Sequence, residues 1–411
     1  MEAGGLRDTT GGDPGVAFRA DPALPGVQDP HPIYAALREQ AAAHWCDGPQ
    51  MWAILAYPQA RQAMREPTLV RQPERDRLAQ LYGQSDIYER QKLDLPYMDG
   101  EAHRVMRRHV INAYRAIDIT ELTTYIRHFA DERLASVAGQ DSFDLIALLA
   151  ADLPVYVVSH LLGVPPQDFA SAAAVVRPFV AARGLVQNRT IAASGDEAVR
   201  VFEEFFLPLI HARRAVPTGD LTSRLVADPI DGMSMSDEQM LLLVSSNFYA
   251  ASLFTIRLLI GTMAVAMARH PDVYQALRRD HSLIPAAVEE VLRWDAPAQA
   301  VNSSIAAEDF ACGDVTIPAG DAVTVLVGAA NRDPQQFPDP DTVRLDRAPN
   351  RHLSFAPGIH QCLGLNLARL QGSIALAAMA EHLPEFGYDP ETSVRLVGDR
   401  FRGYDTLIIR R

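Results

Sequence analysis

Phe355 to Gly364 read FAPGIHQCLG, and an apolar repeat with helical spacing begins directly after them at Leu365. This loop holds one cysteine, Cys362, with a glycine on either side. The glycines allow backbone N–H groups to approach the sulfur, and the N-terminus of the following helix favours negative charge there. We therefore expect Cys362 to be deprotonated and able to bind a metal ion.

The other two cysteines have different surroundings. Cys46 and Cys312 lack glycines on both sides and a second ligand at metal spacing, so we interpret them as small buried apolar residues. Three cysteines without regular spacing argue against a disulfide framework and favour a reducing compartment. We therefore expect a cytoplasmic protein.

Composition excludes some classes of protein. The chain has 411 residues, 48% of them hydrophobic, which is enough for a large core. Lys and Arg total 38 against 51 for Asp and Glu, so the net charge is −13 and a nucleic-acid partner is not expected.

Residues 1–16 are rich in glycine and charge and lack the apolar region of a signal peptide, so we predict a disordered tail there.

The most apolar stretch covers residues 240–268. It is long enough to span a bilayer, but it is interrupted by the polar residues Ser245, Ser246 and Asn247 and by a central arginine, Arg257. Because an arginine at the bilayer centre is costly, the stretch is predicted to be a buried helix of a soluble protein. We therefore expect no membrane partner.

Helical spacing of apolar residues dominates the chain. The predicted helices cover residues 32–40, 57–66, 102–114, 119–138, 196–214, 272–279 and 285–294. The longest helix is predicted to begin at Ser236 and to end before Pro271, with about 34 residues. Runs typical of strands lie at 322–326, 393–396 and 406–410, and residues 71–96 and 331–350 are predicted to be loops. This pattern predicts one mainly α domain with a minor β portion over residues 17–411.

The pattern Phe-x-x-Gly-x-His-x-Cys-x-Gly of residues 355–364 resembles the haem-binding loop of the cytochrome P450 family, and the match continues through Arg369. The resemblance implies the cytochrome P450 fold and haem b as the cofactor, with Cys362 as the axial iron ligand. It also implies that Phe355, Gly358 and Gly364 contact the haem.

A carboxylate and a guanidinium stand three positions apart in Glu290-Val291-Leu292-Arg293, where they share one helix face. Alone, such a pair most often decorates a solvated surface. In the family that the chain resembles, the pair meets a second arginine downstream and locks the coil that supports the haem loop. Arg344 is the residue that we expect in this structural role.

The two haem propionates need cationic or hydrogen-bonding partners. His103 and Arg107 stand four positions apart and share one helix face, and the resemblance makes both of them, with His360, propionate ligands. Relatives commonly carry an arginine on the strand after the Glu-x-x-Arg helix, but this chain reads QAVNSSI at 299–305. We therefore expect fewer propionate contacts, or contacts made by neutral hydroxyl groups.

The long helix departs from the family at its most important position. The family pattern Ala/Gly-Gly-x-Asp/Glu-Thr, whose acid and threonine relay protons to dioxygen, matches ASLFT at residues 251–255. Thr255 is present, Ser252 replaces the second small residue, and Phe254 replaces the acid. Phenylalanine can neither carry a proton nor bind water by hydrogen bonds.

Several explanations of Phe254 remain open at this stage. The substrate itself supplies a hydroxyl or amine to the relay, or Ser252, Thr255 and water suffice. A third explanation is an enzyme that stops at hydrogen abstraction and couples radicals, or that uses peroxide. The last is that Phe254 only packs against neighbouring helices while a slower relay operates.

Helical spacing also predicts a wall of the substrate pocket. Asn247, Ala250, Ala251 and Thr255 fall on one helix face, and Phe254 lies beside them. Asn247 is polar within an apolar run and must bond either a neighbouring helix or a substrate, whereas Arg257 is expected to pair with a carboxylate. The resemblance adds three further pocket residues: Gln299, Val301 and Tyr404.

The predicted function is therefore a haem-thiolate monooxygenase that activates O2 to hydroxylate or oxidatively couple a secondary-metabolite scaffold. Because the sequence has no flavin or iron–sulfur motif, electrons are expected from ferredoxin and ferredoxin reductase, docking near Arg104 and Arg108. The substrate is a small molecule, free or bound to a carrier protein. The alternatives are a peroxide-dependent haem-thiolate peroxygenase and a catalytically silent P450-like protein that recruits partners.

Overall fold

The structure is a computed structural model, and it describes residues 29–115, 117–185, 187–227, 235–396, 398 and 400–411. The predicted tail, residues 1–16, lies outside the described residues. The described chain is mainly helical with several short strands, as the sequence predicts.

The helices are numbered in chain order. The α-helices are α1 (His31–Gln40), α2 (Tyr57–Ala63), α3 (Glu74–Tyr82), α4 (Asp86–Arg90), α5 (Gly100–Arg115), α6 (Ile119–Ala135), α7 (Asp152–Leu162), α8 (Ala170–Ala174), α9 (Val176–Ala181), α10 (Arg189–Ala215), α11 (Leu221–Ala227), α12 (Asp237–Arg269), α13 (Pro271–Arg279), α14 (Ile284–Trp294), α15 (Val327–Ala330) and α16 (Leu365–His382). Short 3₁₀ turns cover Gln91–Leu93, Leu95–Tyr97, Pro166–Phe169 and His281–Leu283, and a π-helical turn covers Ile146–Ala150.

The strands form small sheets beside the helices. They are β1 (Ala43–Cys46), β2 (Met51–Ile54), β3 (Leu69–Val70), β4 (Ser142–Asp144), β5 (Ser304–Ala306), β6 (Phe310–Cys312), β7 (Val315–Ile317), β8 (Ala322–Val325), β9 (Gly387–Tyr388), β10 (Val394–Arg395), β11 (Tyr404–Thr406) and β12 (Ile408–Arg410). The largest sheet has the order β1-β2-β8-β5-β3, and its only parallel pair is β2 with β8. A second sheet has the order β4-β12-β9 and joins the last strand to the middle of the chain.

The sequence predicted the strongly periodic helices and missed several shorter elements. α10 begins seven positions earlier than predicted, and the predicted loop at 71–96 contains α3 and α4. These two helices are short, and α3 is mostly polar, so neither has the long apolar stripe on which the prediction relied. β1 and β2 were also missed, because four-residue strands carry little alternating pattern.

The long helix α12 lies at the centre of the fold. Ser236 caps it in a capping box: the Ser236 hydroxyl accepts the Gln239 N–H at 3.1 Å, and the Gln239 side chain accepts the Ser236 N–H at 3.0 Å. The helix is long and apolar enough to cross a membrane, but most of its apolar window is buried against the rest of the protein. The helix therefore forms part of the core of this fold.

Within α12 the backbone widens into a π-helical segment, Leu243–Ala250, before regular α-helix resumes at Ala251. Such segments shift the side chains that follow them relative to a regular helix, and they are frequent at functional sites. The residues predicted to face the substrate lie across this junction.

A buried ion network fixes the coil before the cysteine loop. Arg293 donates two hydrogen bonds to the Glu290 carboxylate, at 2.9 and 2.8 Å, and both side chains are fully buried. The Arg293 guanidinium also donates to the carbonyl oxygens of Asn331, Pro340 and Thr342. A single arginine of α14 thereby binds three backbone carbonyl groups of a segment that has little regular secondary structure.

The third member of this network is Arg347, and the prediction of Arg344 is wrong. Arg347 Nε lies 3.0 and 3.1 Å from the two Glu290 carboxylate oxygens. Arg344 contributes only its backbone N–H to Glu290, at 3.0 Å, while its side chain pairs with Asp346 at the surface. The backbone N–H of Arg344 faces Glu290, so the side chain of Arg344 points away from that carboxylate. The next arginine along the chain, Arg347, has a side chain that reaches Glu290.

The neighbouring acid on α14 forms a second clamp. Glu289 accepts hydrogen bonds from Arg369 on α16, at 2.7 and 2.8 Å, and from His352 at 3.2 Å. Although burial alone would raise it, the pKa of Glu289 is lowered to about 2 by these partners. Adjacent carboxylates on one helix therefore hold both sides of the cysteine loop.

We expect Arg347→Ala to lower the free energy of unfolding by about 2–3 kcal/mol, because it removes charged hydrogen bonds from a buried carboxylate. Arg344→Ala is the matched control and should have little effect, since that side chain is exposed. Urea unfolding followed by circular dichroism measures both. Equal losses in the two variants would contradict the assignment of Arg347.

Candidate active site

A cavity of about 350 Å³ lies between α5, α12 and the cysteine loop. Its described walls are mainly apolar, with contributions from α12, from the segments around Ala298 and Phe401, and from the start of α16. Four arginines and two histidines line it, but no Asp or Glu does so among the described residues. The cavity therefore suits an apolar ligand that carries negative charge.

Cys362 lines this cavity with its thiol open to it. The Cys362 N–H donates to the Phe355 carbonyl oxygen at 2.9 Å, which closes the loop, and the Gly364 N–H donates to the sulfur. Burial raises the pKa of the thiol, while the Gly364 N–H, Arg107 and Arg369 oppose that increase without cancelling it. The loop therefore opposes the effect of burial on the thiol pKa without removing it, and a metal ion bound to the sulfur would stabilise the thiolate further.

The residues predicted for the propionates meet at one edge of the cavity. His103 and Arg107 come from α5 and His360 from the cysteine loop, and all three line the cavity. The His103 and His360 rings lie 4.4 Å apart, and His360 Nε2 lies 3.8 Å from Asp99 Oδ1. The structure thus gathers a cationic and hydrogen-bonding edge from two separate segments.

Thr255, Ser252 and Phe254 also line the cavity. The Thr255 hydroxyl donates to the Ala251 carbonyl oxygen at 2.7 Å. Phe254 packs edge-to-face against Phe401, with ring centroids 5.0 Å apart. An apolar contact therefore occupies the position where the family has its acid. Within ASLFT, only the hydroxyl groups of Ser252 and Thr255 are able to exchange protons.

Asn247 has a neighbouring segment as its partner. Its Nδ2 donates to Asp94 Oδ1 at 2.8 Å and to the Leu242 carbonyl oxygen at 3.1 Å, although the residue also lines the cavity. The same Asp94 carboxylate accepts the Ser246 hydroxyl at 3.0 Å and pairs with Arg183. A polar cluster thus ties α12 to the turn around Asp94 at the cavity wall.

Three residues predicted for the site lie elsewhere among the described residues. Gln299 turns away from the cavity and bonds the Ala296 carbonyl oxygen at 2.7 Å. Tyr404 is buried beside Arg395, and Phe401 and Arg400 line the cavity in its place. Gly358 faces the backbone of α2, where a Cβ atom would lie 2.3 Å from the Met64 oxygen, and its φ of +110° suits glycine.

The other predicted lining residues do face the cavity. They are Ala250, Ala251, Val301, Phe355 and Gly364. Arg257 forms the expected ion pair, with Asp405 at 3.2 Å.

Sequence reasoning missed three arginines in the cavity wall, Arg71, Arg183 and Arg400. They come from different elements, and each one alone reads as an ordinary charged surface residue. The predicted loop above the pocket, 71–96, contains the first of them, but only the fold shows that its side chain turns inward.

The residues present fit a haem. A soft sulfur ligand, Cys362, faces a space whose walls include Leu363, Leu367 and Ala368, and the charged edge offers donors to carboxylates. Two cavity-lining amides, Asn302 and Gln371, have a buried side-chain oxygen without a hydrogen-bond partner. An apolar ring with an acidic edge and a central metal matches this set of groups.

Comparison with known proteins identifies one family. The family model described as cytochrome P450 matches residues 190–396. The chain is 31% identical over 390 residues to cytochrome P450 monooxygenase PikC of Streptomyces venezuelae, covering 93% of this chain and 91% of the relative.

Two solved structures have the same fold. P450BioI, in complex with an acyl carrier protein ligated with hexadec-9Z-enoic acid, matches with a TM-score of 0.85 and 25% identity over 94% of this chain and 100% of that chain. PksS, the cytochrome P450 of the bacillaene polyketide synthase of Bacillus subtilis, matches with a TM-score of 0.83 and 26% identity over 94% and 98%.

His103 should make the haem-free protein sensitive to acid. Burial, His360 and Arg107 together lower the pKa of His103 from 6.5 to about 4. Because the unfolded chain binds this proton first as the pH falls, the free energy of unfolding should decrease between pH 6.5 and about 4. His103→Gln should reduce that decrease, as measured by urea unfolding at a series of pH values. The same pH dependence in both proteins would contradict the lowered pKa.

Proposed function

This chain belongs to the cytochrome P450 family, and from that premise we propose that it oxidises a secondary-metabolite scaffold with electrons supplied by a ferredoxin. Relatives such as the PikC monooxygenase give the enzyme class, a cytochrome P450 monooxygenase. The observation that carries the proposal is the apolar cavity that places Cys362 together with Thr255 and the charged edge of His103 and Arg107.

The groups that would hold haem come from distant parts of the chain. Cys362 would ligate the iron, while His103, Arg107 and His360, which line the same cavity, would contact the propionates. When bound, haem supplies the redox-active iron at which dioxygen is reduced and a substrate C–H bond is oxidised. The Gly364 N–H and Arg369 stabilise negative charge on the sulfur.

Protons reach the reaction through hydroxyl groups. Thr255 and Ser252 border the same cavity as Cys362, and the Thr255 hydroxyl is oriented by the Ala251 carbonyl oxygen. Phe254, fixed against Phe401, excludes water from the position of the usual acid. Delivery therefore depends on the two hydroxyls with water, or on a polar group of the substrate.

The substrate is an apolar scaffold with a polar or anionic group. The wall formed by Phe179, Val180, Phe254 and Phe401 suits a hydrocarbon framework, while Arg183 and Arg400 border the same space. Hydroxylation is the default outcome, and C–C or C–O coupling is the main variant. The PksS and P450BioI neighbours, one from a polyketide synthase and one bound to a carrier protein, favour a polyketide-like or carrier-bound molecule.

The electron donor is proposed to dock where the cysteine loop reaches the surface. Ile359 is 59% exposed there, and Gln361 is exposed beside it. Arg108 on α5 is exposed, and Arg104, one turn earlier on the same helix, pairs with Glu101. An apolar residue with a basic neighbour suits an acidic ferredoxin better than a basic partner.

The proposal is tested by turnover. Scaffolds that shift the ferric protein to high spin should be oxidised in the presence of ferredoxin, ferredoxin reductase, NADPH and O2, because such ligands displace water from the iron. Cys362→Ser should abolish the thiolate-type spectrum of the reduced carbon monoxide complex and all product. Product formed at the same rate with hydrogen peroxide alone would support the peroxygenase alternative and contradict the need for ferredoxin.

Phe254→Asp should raise the rate of ferredoxin-supported O2 consumption in the presence of substrate, by about tenfold or more, because a carboxyl group then relays protons. Phe254→Leu is the matched control, since it also removes the contact with Phe401 but adds no proton carrier. O2 uptake and product are measured together to give the coupling efficiency. Identical behaviour of the two variants would show that Phe254 does not limit proton delivery.

A further inference from the structure

The charged edge of the cavity has a single guanidinium, Arg107, among the three residues predicted for the propionates. A haem carries two propionates, so a second cation is expected nearby. The strand after the Glu-x-x-Arg helix does not provide one, because β5 and the residues before it carry amides and hydroxyls instead. The second cation must therefore come from another part of the fold.

Arg71 reaches the same edge from the segment between β3 and α3. Its backbone N–H donates to Asp99 Oδ2 at 2.7 Å, and the Gln72 N–H donates to the same atom at 2.9 Å. The other oxygen of Asp99 lies 3.8 Å from His360 Nε2, and His360 packs against His103. One carboxylate thus holds the Arg71 segment and His360 side by side.

The Arg71 side chain turns into the cavity. Its Nη1 donates to the Pro96 carbonyl oxygen at 2.8 Å, and among the described residues this is its only hydrogen-bond acceptor. Burial, together with the nearby Arg400, lowers the pKa of Arg71 to about 10, although Tyr97 and Asp99 oppose this shift, so the group remains charged at neutral pH. A guanidinium has five N–H donors, and a desolvated one whose side chain has no hydrogen-bonded carboxylate is costly.

The Arg71 charge is compensated only in part, by Asp99, which lies outside the cavity lining and binds the Arg71 backbone. No acidic side chain lines the cavity among the described residues, and its other arginines add positive charge. Arg183 differs from Arg71 because its charge is already paired with Asp94. An anion that enters with a ligand is therefore the missing partner of Arg71.

We propose that Arg71 binds a haem propionate, and that Asp99 is the positioning residue that places Arg71 beside His360. The proposal rests on the proposed haem-dependent function, but it concerns cofactor retention and not the substrate. It also explains how the chain dispenses with an arginine on the strand after α14: the cation comes from the segment that follows β3, the edge strand paired with β5.

The first test measures haem loss from the purified holoprotein to excess apomyoglobin. Arg71→Gln should release haem roughly tenfold faster than the wild type, because it removes a charged hydrogen bond to a carboxylate. Arg75→Gln is the matched control: Arg75 lies four residues further along the chain, in α3, and its side chain bonds Asp76 at the surface. Equal haem loss from the two variants would overturn the proposal.

A second measurement separates a propionate from a substrate carboxylate. The proteins are reconstituted with haem whose two propionates are methyl esters. The wild type and Arg71→Gln should then lose the porphyrin at the same rate, since the anion is absent from both. A difference that persists with the diester, or a defect seen only in the binding of carboxylate-bearing scaffolds, would contradict the assignment.

The reduction potential provides a readout that a merely structural role would not change. Loss of a cation near the propionates favours the ferric state, so the potential of Arg71→Gln should fall while that of Arg71→Lys stays close to the wild type. If circular dichroism shows that Arg71→Gln does not fold, haem loss and the reduction potential are measured on Arg71→Lys instead. Because none of these measurements needs turnover, the proposed substrate class can fail without affecting them.

Discussion

The fold around the active site depends on one buried carboxylate, that of Glu290. An isolated charge in this position would be very costly, so its oxygens must be satisfied, and they bind Arg293, Arg347, Asn350 and the Arg344 backbone. These partners come from one helix and from a coil without regular secondary structure. Satisfying the charge therefore fixes the path of the coil, and the coil ends in the cysteine loop.

The loop is held a second time from the same helix. Glu289 joins α16 and His352, while Asn331 bonds the Leu353 N–H and the Ser354 hydroxyl. A thiol on a free loop would be positioned poorly for a metal, but in this fold both ends of the loop are bonded to buried groups. The position of Cys362 thus depends on electrostatic interactions some distance from it.

The cavity combines two requirements that oppose each other. Apolar walls favour a hydrocarbon ligand, but they also make every unpaired charge expensive. The chain resolves this at Arg183 with an internal partner, Asp94, whereas Arg71 and Arg107 line the cavity without a hydrogen-bonded carboxylate on their side chains among the described residues. The contact between Phe254 and Phe401 is apolar, and the hydroxyl groups of Ser252 and Thr255 line the same cavity.

The sequence by itself determined the family, the helix pair Glu290 and Arg293, and the core position of α12, because these depend on local spacing, and it predicted Cys362 as the iron ligand. It also predicted the α5 residues His103 and Arg107, which share a helix face. Only the tertiary structure decided between Arg344 and Arg347, placed Gln299 and Tyr404 outside the cavity, and brought Arg71 to the edge of His103 and His360. The physical reason is that helices have a fixed period, whereas irregular segments take their direction from the buried charges that they must satisfy.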